Sequence, residues 1–213
     1  MRLIDLSRAA DQRGFDDSHS YSVDNHEVAL KSANCRYTGL VHKLTLSSMT
    51  GSYIDFPGHI KETDNGLDAK NFPPEQLYRI PCRTIHLDRP DRSGGITAED
   101  LRQAAGGDIK TPFLVINALG SRHFWEIEQR TVWLTMDAVD WIISTGCRCI
   151  LSDVYESTSL DGVFLKLFGA GICTVCEPGL LAPLPETALI SVIFFPIPSV
   201  KQIPCRILAE VEE

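Results

Sequence analysis

Asp55, Pro57, Gly58 and His59 place a carboxylate and an imidazole four residues apart across a forced turn. Proline presets φ and glycine permits the tight bend, so both side chains can be aimed into one small volume. A hard oxygen beside a borderline nitrogen suits a divalent ion such as zinc or manganese. The plainer alternative is a strand end followed by a loop, with Asp55 capping backbone amides and His59 partly exposed. Spacing alone leaves both open, because short motifs match by chance.

The wider run, Leu44 to His59, reads LTLSSMTGSYIDFPGH. It resembles the signature of the metal-dependent cyclase/hydrolase family that includes bacterial kynurenine formamidase and isatin hydrolase, His-x-Gly-Thr-His-x-Asp-x-Pro-x-His. Gly51, Asp55, Pro57 and His59 match and Ser52 stands for threonine, whereas Met49 and Tyr53 replace the first two histidines. The resemblance implies a ligand set completed by a distal glutamate, which aligns with Glu177, and a distal histidine. Near Phe164 and Leu165, where that histidine falls, the chain has none. The expected metal ligands are therefore Asp55, His59 and Glu177, with zinc or manganese bound, or no metal at all.

Other residues join these by chemistry or resemblance. His59 can act as general base, and Tyr53 can coordinate as a phenolate or donate to an oxyanion. Met49 and Ser52 are expected to touch substrate. His123, Phe124 and Trp125 lie on a loop that closes over the pocket in the family, although a surface aromatic anchor explains them equally well. Cys147-x-Cys149 and Cys173-x-x-Cys176 offer four thiolates. A strand's period of two puts the first pair on one face and splits the second, so buried structural cysteines are the favoured reading.

These residues need elements to carry them. Arg2–Ser7 alternates as an opening strand, of the Ile-Asp-Leu-Ser type found in the family. Residues 8–39 are polar and mixed, and are expected to form a long excursion with little regular structure, His19 and His26 being solvated there. Tyr37–Leu46 alternates as a strand leading into the motif. Pro74–Leu77 opens a short helix, and Pro81–Leu87 is a strand with His86 in the sheet. Thr97 caps a helix carrying Leu101, Ala104 and Ala105, with Asp100 at the capping-box position. Pro112–Ala118 and Cys147–Asp153 are apolar buried strands. Thr135 caps an amphipathic helix over Thr135–Thr145, and a further helix spans Leu160–Phe168. Ile172–Glu177, Leu189–Ile197 and Cys205–Val211 complete the strands.

With 213 residues, 44% hydrophobic and 23% charged, the chain is expected to form one domain, 1–213. A net charge of −8 without basic runs argues against nucleic acid or an anionic membrane surface. No stretch reaches the roughly 20 apolar residues of a spanning helix, and the N-terminus lacks a secretory core. Seven cysteines, an odd count without disulfide-scaffold spacing, fit a reducing compartment, so a cytoplasmic protein is expected.

Periodicity allows α/β or α+β; the resemblance implies more, a β-barrel-like mixed sheet flanked by helices, the swivelling β/β/α cyclase-like fold. It also implies a homodimer to which the early excursion contributes. The expected function is metal-dependent hydrolysis of a small amide, lactam or lactone through metal-activated water. The alternative is a metal-free divergent member working by acid–base chemistry or as a small-molecule binding protein.

Overall fold

The computed structural model describes residues 1–12, 14 and 21–212. Among these described residues, thirteen strands and three α-helices follow one another in chain order. The strands are β1 (Arg2–Asp5), β2 (Tyr21–Lys31), β3 (Arg36–Leu46), β4 (Tyr53–Asp55), β5 (Ile80–His86), β6 (Gly94–Ile96), β7 (Phe113–Asn117), β8 (Val132–Leu134), β9 (Cys149–Ser152), β10 (Cys173–Cys176), β11 (Thr187–Ile193), β12 (Gln202–Pro204) and β13 (Arg206–Val211). The helices are α1 (Ala98–Ala105), α2 (Met136–Ser144) and α3 (Val163–Gly169).

Nine strands form one sheet in the order β1-β13-β11-β5-β7-β9-β10-β4-β12, curled into a half-barrel and flanked by helices, the expected α/β architecture. Its centre, β5-β7-β9-β10, is parallel. Parallel neighbours need crossovers, and α1, α2 and α3 lie in them. The apolar run Phe113–Asn117 is buried on both faces, as an inner parallel strand must be. Leu114 and Ile116 pack with the helices, while Phe113 and Val115 face a second core containing Phe56, Ile54 and Leu6. The period of two thus divides one strand between two cores.

Local chemistry ends the elements near the expected places. Thr97 and Asp100 form a reciprocal capping box, Asp100 N donating to Thr97 Oγ1 at 3.2 Å and Thr97 N to Asp100 Oδ2 at 2.8 Å. Thr135 stands at the N-cap of α2, but its hydroxyl donates to Ile96 O at 2.8 Å instead of accepting from the helix. Helix α3 starts at Val163, not Leu160, because Leu160 and Gly162 have φ of 56° and 93°. Strand β11 stops at Ile193, before Pro196 and Pro198. Pro74–Gln76 is a single 3-10 turn.

The expectation for residues 8–39 is corrected. Tyr21–Lys31 is a strand paired antiparallel with β3 along its whole length, from Tyr21↔Leu46 to Lys31↔Arg36. Ser32–Cys35 turns the ribbon, with Ser32 N donating to Cys35 O at 2.8 Å. Both faces are exposed, so no apolar-inside alternation marks β2. His26 lies on this ribbon; His19 lies outside the described residues. All seven cysteines are free thiols. Cys149 and Cys173 sit side by side in register in one core, whereas Cys147 and Cys176 belong to the other. Cys147 precedes β9, so the strand period that would pair it with Cys149 does not reach it.

Candidate functional site

Strand β4 carries the motif. It lies between β10 and β12, both antiparallel to it. Tyr53 and Asp55 share one face, and Ile54 points into the opposite core. Register places Thr174 and Gln202 on either side of Asp55, and Cys176 and Pro204 on either side of Tyr53. The chain then makes a 3-10 turn at Pro57–His59, with His59 N donating to Phe56 O at 2.8 Å. The forced turn read from Pro57-Gly58 is present.

A cavity of about 300 Å³ opens on this face. Its polar end is formed by Tyr53, Asp55, His59, Cys176, Glu177 and Gln202. Its apolar wall is built from Met49, Phe124, Ile127, Val154, Tyr155 and Phe164. Several of these residues lie at or just past the carboxyl ends of β9 and β10, where open α/β sheets leave a crevice. In that wall the Tyr155 and Phe164 rings stand 5.0 Å apart, and Phe164 packs in turn on buried Phe168, centroids 5.9 Å apart.

Asp55 is 3% exposed. Burial raises its carboxyl to about 6, against the opposing pull of His59 and of contacts from Gln202, Cys176 and Thr174. Thr174 Oγ1 lies 3.3 Å from Asp55 Oδ2, while Oδ1 accepts no hydrogen bond of standard geometry among the described residues. His59 is exposed at the cavity mouth. Its Nε2 lies 3.4 Å from the side-chain amide nitrogen of Gln202. Ser48 Oγ fixes the same glutamine, donating to Oε1 at 2.6 Å.

Burial pushes the Tyr53 phenol well up, with Cys176, Asp55 and Glu177 adding to the effect. With no metal beside it, the phenol stays a proton donor. Cys176 is likewise pushed well up, by burial and then by Asp55, and stays a thiol. Asp153, beside the cavity, is raised to about 7 by burial although it accepts from Ala118 N at 2.9 Å and Leu119 N at 3.1 Å. Glu156, also in the lining, accepts from Val163 N at 2.8 Å and so caps α3.

Met49, Tyr53, Asp55, His59, Phe124 and Glu177 therefore meet in one cavity. Ser52 does not line it: its hydroxyl accepts from Arg8 N at 2.7 Å and donates to Glu177 O at 2.8 Å, a structural tie. His123 and Trp125 lie outside the lining and stack on each other, centroids 4.1 Å apart. Gln202 and Tyr155 were not singled out from the sequence, whereas Cys176 was read there as a buried structural cysteine and Phe164 as a place where the distal histidine is missing. Gln202 sits in a three-residue strand with no readable period, and only the register reveals it.

Arg8 is the other unforeseen participant. Its guanidinium is buried and donates to Glu177 Oε2 at 2.5 Å, Gly51 O at 2.7 Å and Gln12 O at 2.7 Å. Glu177 adopts φ 51°, a left-handed conformation uncommon for a residue other than glycine. Among the described residues, no three His, Cys, Asp or Glu side chains converge to hold a metal ion. As placed, Asp55, His59 and Glu177 line the same cavity but do not fit a shared divalent ion, because Glu177 already faces a cation.

A family model described as "Putative cyclase" matches residues 4–157. No curated protein matches the sequence. Among solved structures, isatin hydrolase A from Ralstonia solanacearum is 18% identical with a TM-score of 0.76, the alignment covering 99% of this chain and 92% of that one. Isatin hydrolase A from Labrenzia aggregata, bound to benzyl benzoate, is 16% identical with a TM-score of 0.74, covering 100% and 94%. A structure described as a "predicted metal-dependent hydrolase from Bacillus stearothermophilus" is 16% identical at 0.70, covering 98% and 97%. At these identities the likeness is one of fold. No helix among the described residues is long and apolar enough to cross a membrane.

Proposed function

The chain belongs to the cyclase family, and from that premise we propose that it is an enzyme opening a small aromatic amide, lactam or lactone by general acid–base chemistry. The observation that carries this is Asp55: a buried carboxyl raised to about 6, on the same strand face as a protonated Tyr53, at the polar end of an aromatic cavity. A base with a pKa near the working pH is both ionised and basic enough to be useful. The cavity's volume suits one bicyclic ring, which Phe164 and Tyr155 would stack.

In this reading Asp55 Oδ1 takes a proton from water as the water oxygen attacks the carbonyl carbon. The Tyr53 hydroxyl donates to the oxyanion that forms. Collapse breaks the bond to the leaving nitrogen or oxygen, and Asp55 returns the proton to that atom. His59 at the mouth, held by Gln202, exchanges protons with solvent. With Glu177 engaged by Arg8, this step uses no metal.

Aryl formamides, lactams and lactones offered to the protein, with product followed chromatographically, test the proposal. Turnover of at least one class is expected, falling about 100-fold or more in Asp55→Asn, the usual worth of a positioned general base. No turnover of any class, or an Asp55→Asn rate equal to wild type, would sink it.

The partner expected is a second copy of this chain, through the β2–β3 ribbon. Tyr21, Val23, Leu40, Val41 and Leu44 are each more than 40% exposed there, and an isolated two-stranded ribbon is marginal in water. Light scattering of wild type and Leu40→Glu checks this: a dimer is expected for the first and a monomer for the second. A monomeric wild type would remove the proposal.

A further inference from the structure

We infer that the guanidinium of Arg8 is the resident cation of this site, answering Glu177 in place of a divalent ion. The acidic end of the cavity would then keep its charge balance and shape without metal. The inference rests on the reading that Glu177, Asp55 and Tyr53 flank one reacting end. Three independent features of the chain build the pair.

Arg8 is held through its backbone and through both terminal nitrogens of its guanidinium. After β1, Leu6 N donates to Ile207 O at 2.9 Å and Ser7 bridges Pro178, so the chain is pinned against the segment that carries Glu177. Arg8 N then donates to Ser52 Oγ, and Arg8 O accepts from Ser52 N at 3.3 Å. Its side chain is 1% exposed, against 6% for Glu177. Gly51 is part of the fit: its φ is +70°, and a Cβ there would stand 3.0 Å from Arg8 O. The guanidinium also lies 5.9 Å from the Phe124 ring centre, a cation–π contact with the cavity wall.

Glu177 is turned towards it by an unusual backbone. The left-handed φ at this position comes between the last residue of β10 and Pro178. Gly179 N then donates to Leu6 O at 2.7 Å, closing the same segment onto the stretch that leads from β1 to Arg8. Backbone strain of this kind persists only where surrounding contacts over-determine it. Here those contacts deliver the carboxylate to the guanidinium.

Charge completes the argument. A buried carboxylate needs a counter-charge, and a hydrogen-bonded guanidinium supplies one that never deprotonates. A divalent ion at the same oxygens would then face a fixed positive charge within hydrogen-bond distance of Glu177. The chain therefore trades an exchangeable cation for a covalently attached one.

Zinc and manganese alone are the probes, with binding read by calorimetry and by elemental analysis after desalting. Wild type is expected to retain less than a tenth of an equivalent, as is Arg8→Lys, which keeps the charge. Arg8→Met, which keeps the stem and removes the charge, is expected to take up about one equivalent, lost again in Arg8→Met/Glu177→Gln. A stoichiometric ion in wild type overturns the inference, and so does an Arg8→Met protein that stays metal-free.

Where Arg8→Met does not fold, melting decides. Glu177→Gln strands a buried guanidinium and is expected to lower the melting temperature by about 10 °C. Arg8→Met/Glu177→Gln, with both charges gone, is expected to recover at least half of that. Glu177→Gln melting with wild type would overturn the inference. Because these readouts are metal content and melting, they separate its failure from failure of the proposed turnover.

Discussion

Asp55→Asn removes one ionisable group while changing almost no volume. Burial raises this carboxyl from 3.8 to about 6, the pull of His59 opposing it. A carboxyl whose folded pKa lies above its unfolded one holds its proton more tightly in the fold. Its stabilising contribution is complete below the unfolded value and is lost as pH rises through the folded value. At about 1.4 kcal/mol per pKa unit, the part of the shift crossed between about pH 4 and pH 8 costs wild type roughly 2 kcal/mol. Asparagine carries no such cost. For a chain of this size that is about 4–8 °C, so the variant's melting temperature should gain that much on wild type across the range. Thermal melts followed by circular dichroism, in chelator at half-unit pH steps, measure the difference, in which all other carboxyls cancel. Parallel curves would refute the burial argument. A wild type that instead gains on the variant as pH rises would be behaving as a carboxylate held by a cation, and would refute the metal-free account with it.

Other perturbations read separate parts of the structure. Tyr53→Phe removes the hydroxyl expected to meet the oxyanion and should lower kcat about 100-fold with little change in KM, measured on whichever substrate class turns over. An unchanged kcat would remove Tyr53 from the chemistry. Thr97→Ala deletes half of the α1 capping box and should cost about 1 kcal/mol in urea unfolding without altering turnover. Gly51→Ala places a side chain at φ +70° against Arg8 O and should cost about 1–3 kcal/mol in the same assay.

The sequence was most legible where one physical rule acts alone. Phe113–Asn117 is apolar throughout because an inner parallel strand is buried on both faces. Thr97 and Asp100 announce α1 because a capping box is local. Asp55 and His59 could be singled out because Pro57-Gly58 forces the turn between them. The ribbon strand β2 was hidden because neither face is buried, and periodicity records burial. Gln202 and Arg8 were hidden for a different reason. Each reaches the site through pairing with residues more than 40 positions away, Gln202 beside Asp55 and Arg8 against Ser52 and Glu177. Nothing local distinguishes a buried arginine from a solvated one. The same limit applies to Tyr155 and Phe164 in the cavity wall, which meet Met49 and Phe124 only in the fold.

The proposed chemistry of this cavity is driven by Asp55 and not by a bound ion. The pH dependence of kcat/KM for chelator-treated wild type tests that claim most directly. Turnover is expected to survive chelation, to rise with an apparent pKa of about 6 and to lose that limb in Asp55→Asn. Turnover abolished by chelator and restored by zinc or manganese would contradict it.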